Sequence, residues 1–158
     1  KKAPELLIDA FSSLQLKHVR LLVVGNGLLE KELKLKAAGD ARILFIDFQN
    51  QQQMPVVYRL GDVFVLPSNG PGETWGLSVN EAMACGKPVI VSDKCGCAAD
   101  LVKGNGFVFE SGNREALTQL LNQVITKRDQ LPKFALISKQ QIESFSLQRI
   151  AQVIEERV

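Results

Sequence analysis

The chain has 158 residues, of which 46% are hydrophobic and 23% charged, and its 19 basic and 17 acidic residues give a net charge of +2. This length and composition are typical of one soluble globular domain and exclude a disordered or low-complexity chain. No apolar run approaches the roughly 20 residues that cross a bilayer, and the basic residues do not cluster as they do on nucleic-acid-binding surfaces, so neither a membrane span nor a nucleic-acid partner is predicted.

Apolar runs of strand length alternate with segments of helical periodicity along almost the whole chain. The runs that predict strands lie at residues 20–25, 42–48, 63–67, 88–92 and 106–110. The segments that predict helices lie at residues 4–16, 28–38, 51–60, 77–85, 98–102, 114–128, 134–144 and 147–157. Pro132 is expected to interrupt the helical C-terminal part, and Asn113 and Ser146 are expected to cap the helices that follow them.

This alternation of apolar strands with helices predicts βαβ units. Such units build a mostly parallel sheet with helices on both faces, because each crossover helix packs on the sheet. We therefore predict an α/β fold in which residues 1–158 form one Rossmann-like, doubly wound domain of about five or six strands. Ligands of such folds bind at the carboxyl ends of the strands, so a site is expected in the loops that follow the strands.

Three cysteines, Cys85, Cys95 and Cys97, and a single histidine, His18, limit the chemistry that the chain can support. An odd number of cysteines in a chain of this length is not typical of a disulfide framework. A zinc site usually takes about four ligands, often as C-x2–4-C pairs. The Cys95-x-Cys97 spacing is too tight for such a pair, and His18 lies far away in the sequence. We predict no metal site, and reduced thiols of the kind that a cytoplasmic protein carries.

The loop after the third predicted strand combines turn-forming residues with the start of a helix. Residues 67–77 are PSNGPGETWGL, with three Gly and two Pro, and the next helix is expected to begin near Gly76 and Leu77. The free N–H groups and the dipole of a helix N-terminus form a natural anion site, and Gly76 lets an anion approach the backbone closely. The segment predicts a phosphate-binding site.

Two acidic residues flank this helix start: Glu73 precedes it, and Glu81 lies one helical turn inside it. A carboxylate offers two acceptor oxygens, which suits the vicinal hydroxyl groups of a ribose or a hexose. Each residue alone is also explained without a ligand, Glu73 as a solvated loop residue and Glu81 as an acid near the positive end of the helix dipole. Together with the Gly-rich turn, they favour a ligand with phosphates in its middle and sugars at its ends.

Residues 73–90 are ETWGLSVNEAMACGKPVI, and they resemble the E-x7-E segment of the family 4 retaining glycosyltransferases, E-x-F/W-G-L-x-x-x-E-A-M-A-x-G-x-P-V-I. Further segments resemble the family over a region that extends to about residue 127: LLVVGNG at 21–27, VFVLPS at 63–68 and GNGFVF at 104–109. The resemblance implies the C-terminal, donor-binding domain of a GT-B enzyme that transfers a hexose from a nucleoside-diphosphate sugar to an acceptor with retention. It implies a nucleotide-sugar donor as substrate, with no cofactor and no metal ion.

The resemblance also implies roles for individual residues. Glu73 would contact hydroxyl groups of the donor sugar, Glu81 would bind the ribose diol, and Lys2 would neutralise the departing diphosphate. The implied catalytic residues are Lys2 and Glu73, and the implied donor-binding residues are Gly25, Gly27, Phe48, Ser68, Thr74, Trp75, Gly76, Leu77 and Glu81. Two positions depart from the family pattern, since Ala3 and Asp47 stand where the family has Gly.

Other functions remain open for the same residues. A non-catalytic nucleotide-binding module and a GT-B nucleotide-sugar epimerase are the alternatives to a transferase, although an intact Glu73 and Glu81 argue against a degenerate pocket. A dinucleotide-dependent dehydrogenase is disfavoured, because Gly25-Asn26-Gly27 lacks the third Gly of that fingerprint.

In the family, a strand and an arginine precede the position of Lys2. We therefore expect the chain to be a fragment that is truncated at its N-terminus and lacks the acceptor-binding N-terminal domain. The isolated domain is expected to bind donor weakly and to be inactive. The acceptor is expected to be a glycan, a lipid or another small molecule. The expected location is the cytoplasm, with the cytoplasmic face of a membrane left open for the full-length enzyme.

Overall fold

Helices and strands alternate as far as the fifth strand, after which the chain is helical. The computed structural model describes residues 1–70 and 72–156. In chain order its elements are α1 (Pro4–Ser12), β1 (Leu21–Val24), α2 (Glu30–Lys36), β2 (Ile43–Ile46), α3 (Met54–Leu60), β3 (Phe64–Leu66), α4 (Leu77–Ala84), β4 (Val89–Ser92), α5 (Ala98–Leu101), β5 (Gly106–Phe109), α6 (Arg114–Thr126), a 3-10 turn (Arg128–Gln130), α7 (Leu131–Glu143) and α8 (Leu147–Glu155). Pro71 of the predicted turn and Arg157 of the last predicted helix lie outside the described residues.

Every strand pair in the described part of the chain is parallel. β1 pairs with β2, with Leu21 opposite Ile43, and β4 lies between β3 and β5. The described strands form two hydrogen-bonded groups, β1–β2 and β3–β4–β5. Parallel neighbours need crossover connections, which helices provide. The predicted α/β architecture with parallel strands is confirmed.

β4 lies at the centre of the hydrophobic core, and all four of its residues are buried. Because successive side chains of a strand point to opposite faces, Val89 and Val91 pack in one cluster and Ile90 packs in the other. The Ile90 cluster includes residues of α1, α2 and α6, and the second cluster includes residues of α4 and α5. Helices therefore cover both faces, as predicted, and each such aliphatic side chain contributes about 1.5–3 kcal/mol by burial.

α1 packs against both groups of strands. Its residues Ile8 and Phe11 are buried in the cluster that also contains Leu21 of β1 and Ile90 of β4. The helix therefore holds the end of the first group next to the second, although no backbone ladder joins the two groups in the described residues.

The predicted helix caps are confirmed, and most element boundaries differ from the predicted ones by a few residues. The side chains of Asn113 and Ser146 accept hydrogen bonds from backbone N–H groups in the first turns of α6 and α8. α7 begins at Leu131, earlier than predicted, because Pro132 occupies its first turn instead of interrupting the chain; a first-turn residue needs no N–H. None of the described helices has the length and apolar character needed to cross a membrane.

Candidate functional site

Most of the predicted site residues follow the carboxyl end of a strand. Gly25 and Gly27 follow β1, Phe48 follows β2, and the segment from Ser68 to Leu77 follows β3. The other two residues lie elsewhere: Lys2 lies two residues before the start of α1, and Glu81 lies within α4. Parallel α/β folds place their ligand sites at these strand ends.

Lys2 and Glu73 form an ion pair beside the end of β3, with Lys2 Nζ 3.2 Å from Glu73 Oε2. The hydroxyl group of Ser68, which is fully buried, donates a hydrogen bond of 3.3 Å to the same carboxylate oxygen. The Glu73 side chain is only 8% exposed, whereas that of Lys2 is 55% exposed. The structure thus brings both predicted catalytic residues together. The buried hydroxyl group of Ser68 fixes the carboxylate, and the ammonium group of Lys2 is open to solvent. Ser68, which was predicted to bind the donor, has no exposed surface and contacts Glu73 instead.

The backbone that carries Lys2 is fixed against the loop after β3. The carbonyl oxygen of Lys1 accepts a hydrogen bond of 3.0 Å from the N–H of Asn69. Ala3 then takes a left-handed conformation, with φ 44° and ψ 52°, before α1 begins. This conformation costs about 1–2 kcal/mol in a residue with a Cβ atom. The chain bends here, in a conformation that glycine adopts without this cost.

The loop that carries Glu73 rests on the loop after β4. The N–H groups of Gly96 and Cys97 donate to the carbonyl oxygens of Glu73 and Trp75, over 3.3 and 2.9 Å. A Cβ atom on Gly96 would lie 1.8 Å from the carbonyl oxygen of Thr74, so only glycine permits this close approach. The position of Glu73 therefore depends on Gly96.

Gly76 is the N-cap of α4. Its φ of 97° lies in the left-handed region, and a Cβ atom there would lie 2.5 Å from the Sγ atom of Cys95. The side chain of Leu77, the first helical residue, is 69% exposed, whereas Gly76 itself is buried. The first N–H groups of a helix have no intrahelical acceptor, and together with the dipole they favour an anion. The structure thus confirms that a helix begins here, and that this segment binds phosphate stays a prediction.

The ring of Trp75 is held by contacts within the protein. The indole Nε1–H donates a hydrogen bond of 2.8 Å to Asn80 Oδ1, and the ring centroid lies 6.1 Å from that of Phe145. The partly buried ring therefore packs against other side chains of the protein. Thr74, the residue before it, is exposed.

Glu81 is held by a tyrosine from a neighbouring helix. The hydroxyl group of Tyr58 in α3 donates a hydrogen bond of 2.7 Å to Glu81 Oε2. Burial, and then the hydrogen bond to Glu81, raise the pKa of Tyr58, so the phenol stays protonated and remains a donor. Among the described residues, Glu81 Oε1 has no hydrogen-bond partner, and this oxygen can accept a bond from a ligand.

The residues at the ends of β1 and β2 form a separate part of the candidate site. The N–H of Gly25 donates to the carbonyl oxygen of Ile46 over 2.9 Å and so extends the strand pairing. Asn26 Oδ1 accepts a hydrogen bond from the N–H of Phe48, which ties the two loops together. Phe48 is 71% exposed, and added Cβ atoms on Gly25 and Gly27 would meet no atom within 4 Å. This part is therefore open, with an aromatic face available for a planar group.

Cys95 and Cys97 pack beneath the start of α4 as free, buried thiols. Their Sγ atoms lie 3.8 Å apart, and the Cys95 thiol donates to the carbonyl oxygen of Trp75 over 3.5 Å. The hydrogen bond between the two thiols lowers the pKa of Cys95 and raises that of Cys97. The pair fills the space that an alanine at position 76 would enter.

Four residues that contact the predicted site residues were not predicted from the sequence: Tyr58, Cys95, Gly96 and Cys97. Gly96 carried no clear signal, because it lies in a loop, whereas an isolated glycine indicates a close backbone approach when it lies inside a strand. Tyr58 carried none, since its partner is 23 positions away on another helix. Only the packing of α3 on α4 identifies it.

In the part of the chain that the structure describes, no three His, Cys, Asp or Glu side chains lie close enough together to hold a metal ion. That the reaction needs no metal stays a prediction. A surface depression of about 590 Å³ lies next to Pro88, Arg128 and Asp129, among other residues. It adjoins the amino end of β4, opposite the edge where parallel α/β folds bind their ligands.

A family model and individual proteins match this chain over most of its length. The family model described as "Glycosyl transferases group 1" matches residues 1–141. The D-inositol 3-phosphate glycosyltransferase of Rhodococcus erythropolis is 29% identical over 163 residues, which include 95% of this chain and 36% of that protein. The spore coat protein SA of Bacillus subtilis is 26% identical over 96% of this chain and 44% of its own length. The chain thus spans less than half the length of these relatives.

Solved structures share the fold. A glycosyltransferase from Rickettsia africae superposes with a TM-score of 0.86 at 22% identity, over 98% of this chain and 43% of that chain. Anabaena HepE, solved in complex with UDP, superposes with a TM-score of 0.83 at 25% identity, over 98% of this chain and 45% of that one. Both solved chains are more than twice as long as the region that matches.

Proposed function

The chain belongs to the group 1 glycosyl transferases, and from this we propose that it is the donor-binding part of a retaining glycosyltransferase. The proposed enzyme moves a hexose from a nucleoside diphosphate to an acceptor. The observation that carries the proposal is the Lys2–Glu73 ion pair beside the start of α4. It combines a cation, a fixed carboxylate and free backbone N–H groups at one strand end, which are the groups that a sugar diphosphate needs.

The proposed reaction breaks the bond between the anomeric carbon and the diphosphate oxygen, and both bonding electrons leave with the diphosphate. A new bond forms between the anomeric carbon and an acceptor oxygen, whose proton is released. Negative charge therefore grows on the diphosphate in the transition state. The exposed ammonium group of Lys2 and the N–H groups after Gly76 stabilise that charge more strongly in the transition state than in the ground state.

Glu73 is proposed to bind hydroxyl groups of the transferred sugar. Its Oε2 atom is occupied by Lys2 and Ser68, so its other oxygen is the one that faces the sugar. A buried carboxylate that accepts hydrogen bonds from two side chains keeps one orientation, which gives the site a means of selecting hydroxyl stereochemistry. Glu81 is proposed to bind the ribose, and the exposed ring of Phe48 to flank the base.

The acceptor and the cellular location belong to the proposal as well. We propose that a further domain of the full-length protein binds the acceptor, a glycan, a lipid or another small molecule. The enzyme would act in the cytoplasm or at the cytoplasmic face of a membrane, and without a metal ion. The lengths of the matched relatives support the further domain, because this chain covers 36% of the Rhodococcus protein and 44% of the Bacillus protein.

Calorimetric titration of the chain with UDP, GDP, UDP-glucose and NAD tests the proposal. We expect a nucleoside diphosphate to bind and NAD to bind more weakly or not at all. UDP is a reasonable first probe, because HepE, which shares the fold, was solved with it. Tighter binding of NAD than of every nucleoside diphosphate would exclude the transferase.

A charge-matched pair of variants tests the role of Lys2. Lys2→Met should weaken UDP binding about 1.5- to 5-fold, the range expected for one partly exposed cation, and leave uridine binding unchanged. Lys133→Met removes the same charge from an exposed position on α7 and should have little effect. If the two variants bind UDP equally well, Lys2 does not contact the diphosphate.

A further inference from the structure

The contact between Tyr58 and Glu81 has a function beyond joining two helices. We propose that Tyr58 is a positioning residue for nucleotide recognition: its hydroxyl group holds Glu81 by Oε2, so that Oε1 is presented to the two ribose hydroxyl groups of the donor. This inference rests on the proposed function, in which Glu81 binds the ribose.

Tyr58 is itself rigid enough to position another side chain. It is only 8% exposed, and its ring packs edge-on against that of Phe64, with the centroids 5.6 Å apart. The hydroxyl group can therefore move little relative to β3 and α4.

Glu81 needs such a partner, because its side chain has three rotatable bonds and lies at an intermediate level of burial. An O–H donor to a carboxylate forms a charge-assisted hydrogen bond, which is stronger than one between neutral groups. At 2.7 Å the bond from Tyr58 is short. It leaves one carboxylate oxygen, which can accept bonds from both vicinal hydroxyl groups. Fixing the carboxylate before the ligand arrives removes an ordering cost from binding.

Comparing two ligands distinguishes a positioning role of Tyr58 from a purely structural one. UDP carries both ribose hydroxyl groups, and 2′,3′-dideoxy-UDP carries neither. The chain should bind UDP more tightly than the dideoxy compound, as measured by calorimetry. Tyr58→Phe keeps the ring and its packing and removes only the donor. We expect it to weaken UDP binding about 2- to 12-fold, the effect of losing one hydrogen bond, and to leave dideoxy-UDP binding unchanged.

A second variant makes the coupling measurable. A Glu81→Ala variant should no longer bind UDP more tightly than dideoxy-UDP. Adding Tyr58→Phe to it should then leave the ratio of the UDP and dideoxy-UDP affinities unchanged. Equal weakening of both ligands by Tyr58→Phe would mean that the tyrosine acts only on the fold and would overturn the inference. If Tyr58→Phe changed the affinity for neither ligand, the inference would be overturned too.

These outcomes differ from those that would contradict the proposed function. If the chain binds NAD in preference to UDP and GDP, both the proposed function and the inference fail. If UDP binds well but no better than its dideoxy analogue, the nucleotide site stands, and the assignment of Glu81 and Tyr58 to the ribose is wrong.

Discussion

Replacing Gly76 with alanine tests how the start of α4 is held in place. The glycine has a φ of 97°, and an added Cβ atom would lie 2.5 Å from the Sγ atom of Cys95. That thiol cannot easily turn away, because it donates to the carbonyl oxygen of Trp75 and lies 3.8 Å from the Sγ atom of Cys97. Gly76→Ala therefore introduces both a strained backbone and a steric overlap.

The two costs can be estimated separately. The left-handed conformation costs about 1–2 kcal/mol in a residue with a Cβ atom, and overpacking a buried site costs about 1–3 kcal/mol. Together they should lower the free energy of unfolding by roughly 2–5 kcal/mol, which is a fall in Tm of about 4–20 °C for a domain of this size. Because α4 supplies the proposed phosphate site, UDP affinity should fall as well.

Gly39→Ala is the matched control, and urea and thermal unfolding are the measurements. Gly39 has a similar φ of 94°, but an added Cβ atom would meet nothing within 4 Å. Its variant should show only the backbone cost, about 1–2 kcal/mol. Cys95→Ala should relieve the overlap, so the double variant Gly76→Ala, Cys95→Ala should be more stable than the sum of the single effects predicts. If Gly76→Ala costs no more than Gly39→Ala, or if the two changes are additive, the steric argument is refuted.

Three further substitutions test other parts of the fold by equilibrium unfolding. The hydrogen bond from Arg42 lowers the pKa of Asp40, and a carboxyl group with a lowered pKa stabilises the fold above its unfolded-state pKa and loses that effect as the pH falls. Asp40→Asn should therefore destabilise the chain at pH 7, and the difference should shrink below about pH 4; a difference independent of pH would count against the ion pair. Asn113→Ala removes the cap of α6 and should cost about 1 kcal/mol, whereas Asn122→Ala within the same helix should cost less; equal effects would argue against the cap. Gly106→Ala would place a Cβ atom 1.8 Å from a carbonyl oxygen of β4, so we expect no soluble, folded protein, and a folded variant with normal Tm would contradict the close strand approach.

Local features of the fold and the site could be predicted because their causes lie within a few residues. The apolar run of β4 and the caps of α6 and α8 follow from periodicity and hydrogen-bonding capacity over one or two turns. The start of α4 was predictable for the same reason, since Gly76 and Leu77 are neighbours in sequence. The family resemblance, which the family match confirms, depended on such a contiguous segment, residues 73–90.

Boundaries were less predictable where two local signals conflict. Pro132 can end one helix or start the next, and the pattern alone favoured an interruption. In the structure it lies in the first turn of α7, because the preceding residues form a 3-10 turn that leads directly into that helix.

By itself, the sequence determined the order of strands and helices, the class of fold and the position of the segment that begins α4. Only the tertiary structure decided which side chains meet there. Lys2 and Glu73 are 71 positions apart, and Tyr58 and Glu81 are 23 apart. Periodicity and propensity report on interactions within one element, whereas these pairs depend on how α1 and α3 pack against the strands and helices beside them. That packing is set by the whole core at once, so no single segment of the chain encodes it.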